Sequence, residues 1–573
     1  MTALQFILVF GVLSAVQWSA AAQEIPVAGV RSGVNTRTGE MPIRRNINSI
    51  FDERGPQWDL YIAALTAMQD ANETDPTSYF QIAGIHGQPY MAWSGGGPQT
   101  GANAGYCPHN QGLFGTWHRG YLSLYEVRTT VSQTQLRVDH DLTCSQQVLV
   151  RQAKRIAISY PEPHKRKYLE AAESLRIAYW DWAEDHQVPP VTAMPTVIVN
   201  KPVAGLVQPA AVRNPLYRFK YPQSALDGYF GRFDGTNSTR RCANDGETYP
   251  ETANKKLASF NLKEKTYNVF VKATTFHEMV SAQSQGANFE GPHGEVHVAA
   301  ACGQDLLTLS TSAFEPLFWL HHANVDRLIA FWQALHFENA NMHFSYSSNE
   351  MFATPAGTTV TPQYPIWPFM GSGGSPLTTE SVTHVRDWGY TYAPMRFWDQ
   401  APGETKMAVS RTVNLLYGPS EQQEKRRLSL QGLRRRKGVT KREYFAKVEV
   451  ERGELELPCQ VQLYLKGKLA GSFTLLDMPK KGKSYDEIPL SRGVEMAGFR
   501  GLSSKSVLGD VEYGLEVEIN NLDGTTTPLD RVPSLKIELE DVTFVAPDSL
   551  NELPTIGAAQ CRAAKARPLT ISN

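Results

Sequence analysis

The segment Glu315–His336, EPLFWLHHANVDRLIAFWQALH, repeats apolar residues at three- and four-residue intervals and sets two adjacent histidines, His321 and His322, inside that pattern. A helix that is apolar all round belongs in a core, and a core tolerates imidazoles only when they are hydrogen-bonded or bound to a metal. Whatever the chain folds into must therefore enclose this helix and supply partners for its histidines. TWHRGYLSLYEVRTTV, from Thr116, has the same period and carries His118 at its head. KYLEAAESLRIAYWDWA begins with that period and then breaks into an aromatic cluster, whereas Ser310 to Ala313 and MPTVIVNKPVAG read as loop or short extended pieces.

Further histidines extend the theme. In EGPHGEVHVAA, His293 and His297 stand at i and i+4, which on a helix puts both imidazoles on one face within reach of a single ion. Alone, such a pair is as well explained by local hydrogen bonds, but it is accompanied by His322 downstream and by His86, His109 and His118 upstream. Two sets of three imidazoles, without evident carboxylate or thiolate partners, favour copper or zinc over magnesium or calcium. Cys107 stands apart from the other cysteines because it lies two residues before His109 in a glycine-rich loop, GANAGYCPHNQG.

Composition sets the frame. The 573 residues are 42% hydrophobic with a net charge of -1, which excludes wholesale disorder and a global basic field for nucleic acid or anionic membrane. Six scattered cysteines are too few for a disulfide scaffold, and their pairing is open. Residues 1–22 read as a secretory signal cut before Gln23, so a secreted protein is expected, with acceptor sequons at Asn72 and Asn237. Residues 23–400 hold the histidines and mix helical patterns with long loops. Residues 401–442 read as a linker, because Lys425–Arg442 has nine basic residues and no acidic one; its dibasic pairs Arg426-Arg427 and Lys441-Arg442 are candidate protease sites. Residues 443–573 alternate apolar and polar positions and read as a small β-sandwich. The expected fold is mainly α, a helical bundle with long loops, followed by that sandwich.

The Cys-x-His loop at Cys107 and His109, the WHR start at Trp117, the YWDWA segment at Tyr179–Ala183, the HxxxH pair, the FWLHHANVDR helix and Tyr390-Thr391-Tyr392 together resemble the type-3 dicopper family of tyrosinases, catechol oxidases and hemocyanins, and most closely its fungal tyrosinases. The resemblance spans about Ile25 to Pro394. It implies two copper ions, CuA on His86, His109 and His118 and CuB on His293, His297 and His322, with O2 as co-substrate. His322 is chosen over His321 by its place four residues after Phe318 and four before Asp326. It further implies a thioether between Cys107 and His109, and Phe318 packed beneath the coppers.

The same resemblance gives Glu290 the task of orienting a water that deprotonates an incoming phenol, although an ordinary carboxylate at a helix N-terminus explains it equally well. Two departures stand out. Gly294 replaces an Asn that often helps to hold that water, which puts phenol hydroxylation in doubt but not catechol oxidation, and Glu315-Pro316 replaces Asp-Pro. The implied activity is oxidation of small phenols and catechols to o-quinones that polymerise to melanin-like pigment. It would be latent until a protease cuts the linker and removes the sandwich, whose capping residue has several aromatic candidates: Tyr464, Phe473, Tyr513 and Phe544. The alternatives are a catechol oxidase with little monophenolase activity and, in another class, a hemocyanin-like O2 carrier, which the absence of internal repeats disfavours. A zinc hydrolase would account for HxxxH but not for the upstream histidines.

Overall fold

The computed structural model describes residues 25–569 apart from 98, 102–103, 127–147, 232, 234, 420–439 and 500–503. The stretch expected to be a signal, Cys144, His140 and most of the basic run therefore lie outside the described residues.

Three helices carry the core. α1 (Phe114–Glu126) and α2 (Glu290–Ala301) are buried along their whole length, and α3 (Leu317–Leu335) is buried at all but one position. None presents a polar face to solvent, as expected of helices that are apolar all round. One carboxylate ties α1 to α3: Asp326 accepts from Arg119 at 2.6 Å, Arg44 at 3.0 Å, and the hydroxyls of Tyr390 and Tyr392 at 2.7 Å each. Burial would raise its pKa, but Arg119 and Arg44 hold it below the ordinary carboxylate value. The WHR, VDR and Tyr-x-Tyr motifs are thus one buried network. Around it pack shorter helices and a hairpin, Thr196–Val203 with Leu206–Arg213, where loop or short extended pieces had been expected.

The C-terminal unit is a sandwich of seven antiparallel strands: β1 (Thr440–Glu451), β2 (Cys459–Leu465), β3 (Lys468–Leu475), β4 (Lys483–Pro489), β5 (Leu515–Asn521), β6 (Lys536–Val545) and β7 (Thr555–Ala564). One sheet runs β4-β1-β6-β7 and the other β5-β2-β3. Val448, Val461, Leu463 and Leu539 help form a core separate from that of the helical domain. Two helices, Ser491–Met496 and Ser504–Gly514, are inserted where strands and turns alone had been read.

The expected linker needs correction. Residues 402–416 form a helix, α4 (Pro402–Leu416), with proline at its start and Glu404 reaching back to the Ala401 N–H at 2.8 Å. Val409 and Val413 join the helical core, and Tyr417 enters the buried pair Asp181 and Arg327, its oxygen 2.8 Å from each. At the other end Lys441 and Arg442 already belong to β1. The segment between the domains shortens to 418–439.

Candidate metal centre

The helices and two loops bring the predicted histidines together. His86, His109 and His118 form one buried group with Cys107; His293, His297, His321 and His322 form a second. The groups adjoin: the rings of His118 and His322 stack at 4.2 Å, and those of His109 and His293 face each other at 5.7 Å. Phe318, fully buried, sits between them, 4.9 Å from His86 and 4.1 Å from His322.

For three of the rings a hydrogen bond shows which nitrogen is offered. Nδ1 of His86, His118 and His297 faces a backbone carbonyl, of Leu309 at 3.0 Å, Phe114 at 2.7 Å and Leu306 at 2.5 Å. That pins the rings and turns Nε2 inward, the usual arrangement around a ligated metal. Nε2 of His293 and His297 are 3.0 Å apart, the spacing of two ligands sharing an ion at bonds of about 2 Å. Buried nitrogens of His86 (Nε2), His293 (Nδ1), His321 and His322 (both) have no hydrogen-bond partner. Burial lowers every one of these imidazole pKa values, His86 to about 3 and His297 to about 4, so all are neutral and ready to ligate. Neutral imidazoles whose ligand atoms gather within 4.8 Å of one another in each group fit two copper ions. His321 is as buried as His322 and belongs to the same cluster, its ring stacked 5.0 Å from His293, edge-on 4.8 Å from His297 and tilted 5.8 Å from Trp182.

Cys107 Sγ is 3.3 Å from Nδ1 and 3.8 Å from Nε2 of His109, so it faces the ring carbon between them; it is also 3.3 Å from His118 Nε2. Its thiol pKa is raised, by burial first and then by Glu290. Glu290 accepts from the Asn110 N–H at 2.5 Å, the Ala282 N–H at 2.9 Å and the Ser281 hydroxyl at 3.1 Å. Burial raises its pKa and these bonds oppose the rise. Both oxygens are thus engaged in holding the loop after His109 to the start of α2. Glu315 is buried against Arg241, with Arg241 Nε at 2.8 Å, and it accepts from the Leu317 N–H at 3.1 Å, so the longer carboxylate still starts α3.

Gly294 faces the sandwich. A Cβ there would meet Thr474 of β3 at 3.5 Å, and one on Gly291 would come within 3.0 Å of Asp486 of β4. Gly291 is therefore tight against β4, whereas Gly294 leaves room for a methyl group but for little more before Thr474.

The sandwich covers the centre, but through none of the four aromatics considered. Phe473 is in the sandwich core, Tyr464 bonds Gln462, Tyr513 is exposed, and Phe544 packs with Phe445 and Val542. Instead the loop between β3 and β4 enters: Leu476 joins the helical core, and Asp477, Met478, Pro479 and Lys480 line a cavity of about 180 Å³ with His86, Cys107 and His109. Buried Arg452 gathers that loop, donating to the carbonyls of Leu476, of Pro479 at 2.6 Å and of Met478 at 3.2 Å. No periodicity marks this feature, because it is assembled from backbone oxygens. Elsewhere, Cys242 and Cys302 form a disulfide, and His277 and His336 stack on Phe344 and Trp332, away from both clusters.

Fold and site together define a helical protein with paired all-imidazole metal positions, the type-3 copper class. Residues 76–335 match the common central domain of tyrosinase. Tyrosinase from Podospora anserina is 32% identical over 411 residues, covering 66% of this chain and 67% of that protein, and polyphenol oxidase 2 from Agaricus bisporus is 28% identical over 423 residues, covering 70% of each. A recombinant mushroom tyrosinase superposes with a TM-score of 0.74 at 22% identity over 95% of this chain and 100% of that one. Aspergillus oryzae apo-pro-tyrosinase superposes with a TM-score of 0.69 at 19% identity over 96% and 99%. The chain belongs to the tyrosinase family.

Proposed function

We propose that this chain is a copper-dependent oxidase converting phenols and catechols to o-quinones with O2, held latent by its own C-terminal sandwich. The observation that carries the reading is the pair of adjoining imidazole clusters, in each of which one ligand atom per residue lies within 4.8 Å of the others. CuA is assigned to His86, His109 and His118 and CuB to His293, His297 and His322. His322 is preferred because its ring stacks on His118 of the other cluster at 4.2 Å and contacts Phe318, whereas His321 backs onto Trp182. Two bound copper ions would supply the electrons that reduce O2. The chain's own groups do the rest: backbone carbonyls orient the imidazoles, Phe318 closes the floor, and Cys107 fixes the His109 ring through a thioether to the carbon it faces. Glu290 holds the entrance loops, with Asn110 on one oxygen and Ser281 and Ala282 on the other.

Latency is supported by the Leu476–Lys480 loop over the CuA histidines and by the basic run between the domains. Secretion is supported by the apolar stretch at residues 1–22 and by the Cys242–Cys302 disulfide, a bond of oxidising compartments. No helix among the described residues is long and apolar enough to cross a membrane.

A second reading, catechol oxidation with little monophenol hydroxylation, is favoured by Gly294 and by the full engagement of Glu290. Copper analysis with electron paramagnetic resonance tests the centre: two ions per chain with a silent oxidised state are expected, and two isolated Cu(II) signals would contradict it. Tyrosine against dopa as substrates then separates the two activities.

A further inference from the structure

Strand β4 is the edge of its sheet, and the edge not paired with β1 lies on the helical domain beside His109 and Glu290. Asn110, next to His109, donates its side-chain amide to the Lys483 carbonyl at 2.9 Å and accepts from the Ser484 hydroxyl at 2.9 Å. The Tyr485 N–H donates to the Ala282 carbonyl at 2.7 Å, and the Asn288 amide reaches the Tyr485 carbonyl at 3.4 Å. Main-chain groups of alternate residues are therefore read along an extended chain, the mode by which sheet edges and grooves bind peptides. The next two side chains are acidic and meet lysines of the helical domain: Asp486 lies 3.2 Å from Lys265, and Glu487 pairs with Lys272.

Lys272 is the more telling group. Its contacts with Glu487, Glu540 and the Phe445 ring all come from the sandwich, although Lys272 belongs to the helical domain. Removing the sandwich would leave a cation with none of these partners at one end of a row of amide and carbonyl groups whose other end, Asn110, adjoins the ligand His109. A surface so built has an extended acidic chain as its natural occupant.

We propose that this surface is a substrate groove, and that the uncovered enzyme oxidises phenolic side chains carried on extended acidic polypeptides, with β4 occupying the groove as a substrate mimic in the latent form. The inference rests on the reading that the sandwich is displaced on activation. Direction follows from the chain: the loop covering the histidines, Leu476–Lys480, precedes β4, so the phenol should lie on the N-terminal side of the acidic pair. In the step itself each dopa residue loses two electrons and two protons to become an o-quinone, and two such residues reduce one O2 to two waters.

The test uses full chain, copper-loaded and nicked with trypsin, with release of the sandwich followed by size exclusion. A fluorescent peptide of residues 482–489 and its Asp486→Asn/Glu487→Gln counterpart are titrated by anisotropy. Dopa peptides ending in Asp-Glu or Asn-Gln are compared by KM. The acidic peptides should bind and react with Kd and KM about tenfold lower, the effect of one close charge pair, and the KM ratio should shrink in Lys272→Met, keeping only what Lys265 contributes, but persist in Lys272→Arg. Equal Kd and equal KM for acidic and neutral peptides, with free dopa still oxidised, would overturn the groove and leave the oxidase reading standing. Loss of dopa turnover itself would instead strike the oxidase reading. A sandwich that stays bound after nicking counts against both latency and groove, because the surface never opens.

Discussion

If α4 belongs to the catalytic unit, its last anchor must matter after activation as much as before. The Tyr417 hydroxyl lies 2.8 Å from both Asp181 and Arg327, and Arg327 follows the Asp326 that ties α3 to α1. All three groups are buried. Tyr417→Phe removes two hydrogen bonds to charged groups, each worth about 1.5–3 kcal/mol net. Asp181 and Arg327 remain 2.8 Å apart and keep each other, so the loss should be near that of one bond rather than two. An effect of about 1.5–3 kcal/mol, carried fully by the unfolding barrier, accelerates unfolding by roughly 10- to 150-fold. The assay is the heat-inactivation rate of trypsin-nicked enzyme, followed by residual catechol oxidation, beside the same variant left intact. The acceleration should appear in both forms. A change under about twofold in the nicked form, with a large one in the intact chain, would show that α4 serves the sandwich and would restore 401 as the domain boundary.

Other consequences follow from single groups. His322→Ala should reduce bound copper from two ions to one per chain, whereas His321→Ala should retain two; elemental analysis decides, and the reverse pattern would move the ligand by one residue. Intact-mass measurement should find the copper-loaded chain short of two hydrogens from the Cys107–His109 link, with the deficit absent in Cys107→Ser. Gly294→Asn should raise the monophenol-to-catechol rate ratio in cleaved enzyme and weaken latency in the intact chain, since its side chain would press on Thr474, whose Cγ2 lies 3.5 Å from a Cβ at that position. Asp326 has a depressed folded pKa, so its stabilisation is complete above the unfolded carboxyl value of about 3.9 and is lost as pH falls through the lower folded value. Asp326→Asn should therefore flatten acid unfolding in that window while costing about 3–5 kcal/mol near neutrality, read by circular dichroism across pH.

The metal centre was legible in the sequence because ligation demands one residue type at spacings set by helical geometry. HxxxH, the histidines inside an apolar helix and Cys107 beside His109 could be found without a fold. The sandwich was legible from its alternation, as in the run around Val461 and Leu463. Helix α4 was not, because its buried stripe is thin: Val409 and Val413 face the core while Met407 is 45% exposed. The covering loop was hidden for a different reason. An aromatic plug was the natural guess, yet the structure uses Leu476 and Met478, positioned by Arg452 collecting main-chain carbonyls, and such groups leave no residue signature. The closeness of Gly294 to Thr474 needed the same tertiary knowledge, since only the arrival of β3 places a strand over that turn of α2.

The central claim is that two coppers on these histidines form an oxidase covered by its own sandwich. The most direct test is O2 uptake by copper-loaded protein with dopa, measured before and after limited trypsin cleavage between residues 418 and 439, with copper content determined on the same samples. Two coppers per chain throughout, negligible uptake before cleavage and rapid uptake once the sandwich is gone are expected. Two bound coppers with the sandwich removed and still no O2 consumption would contradict the claim.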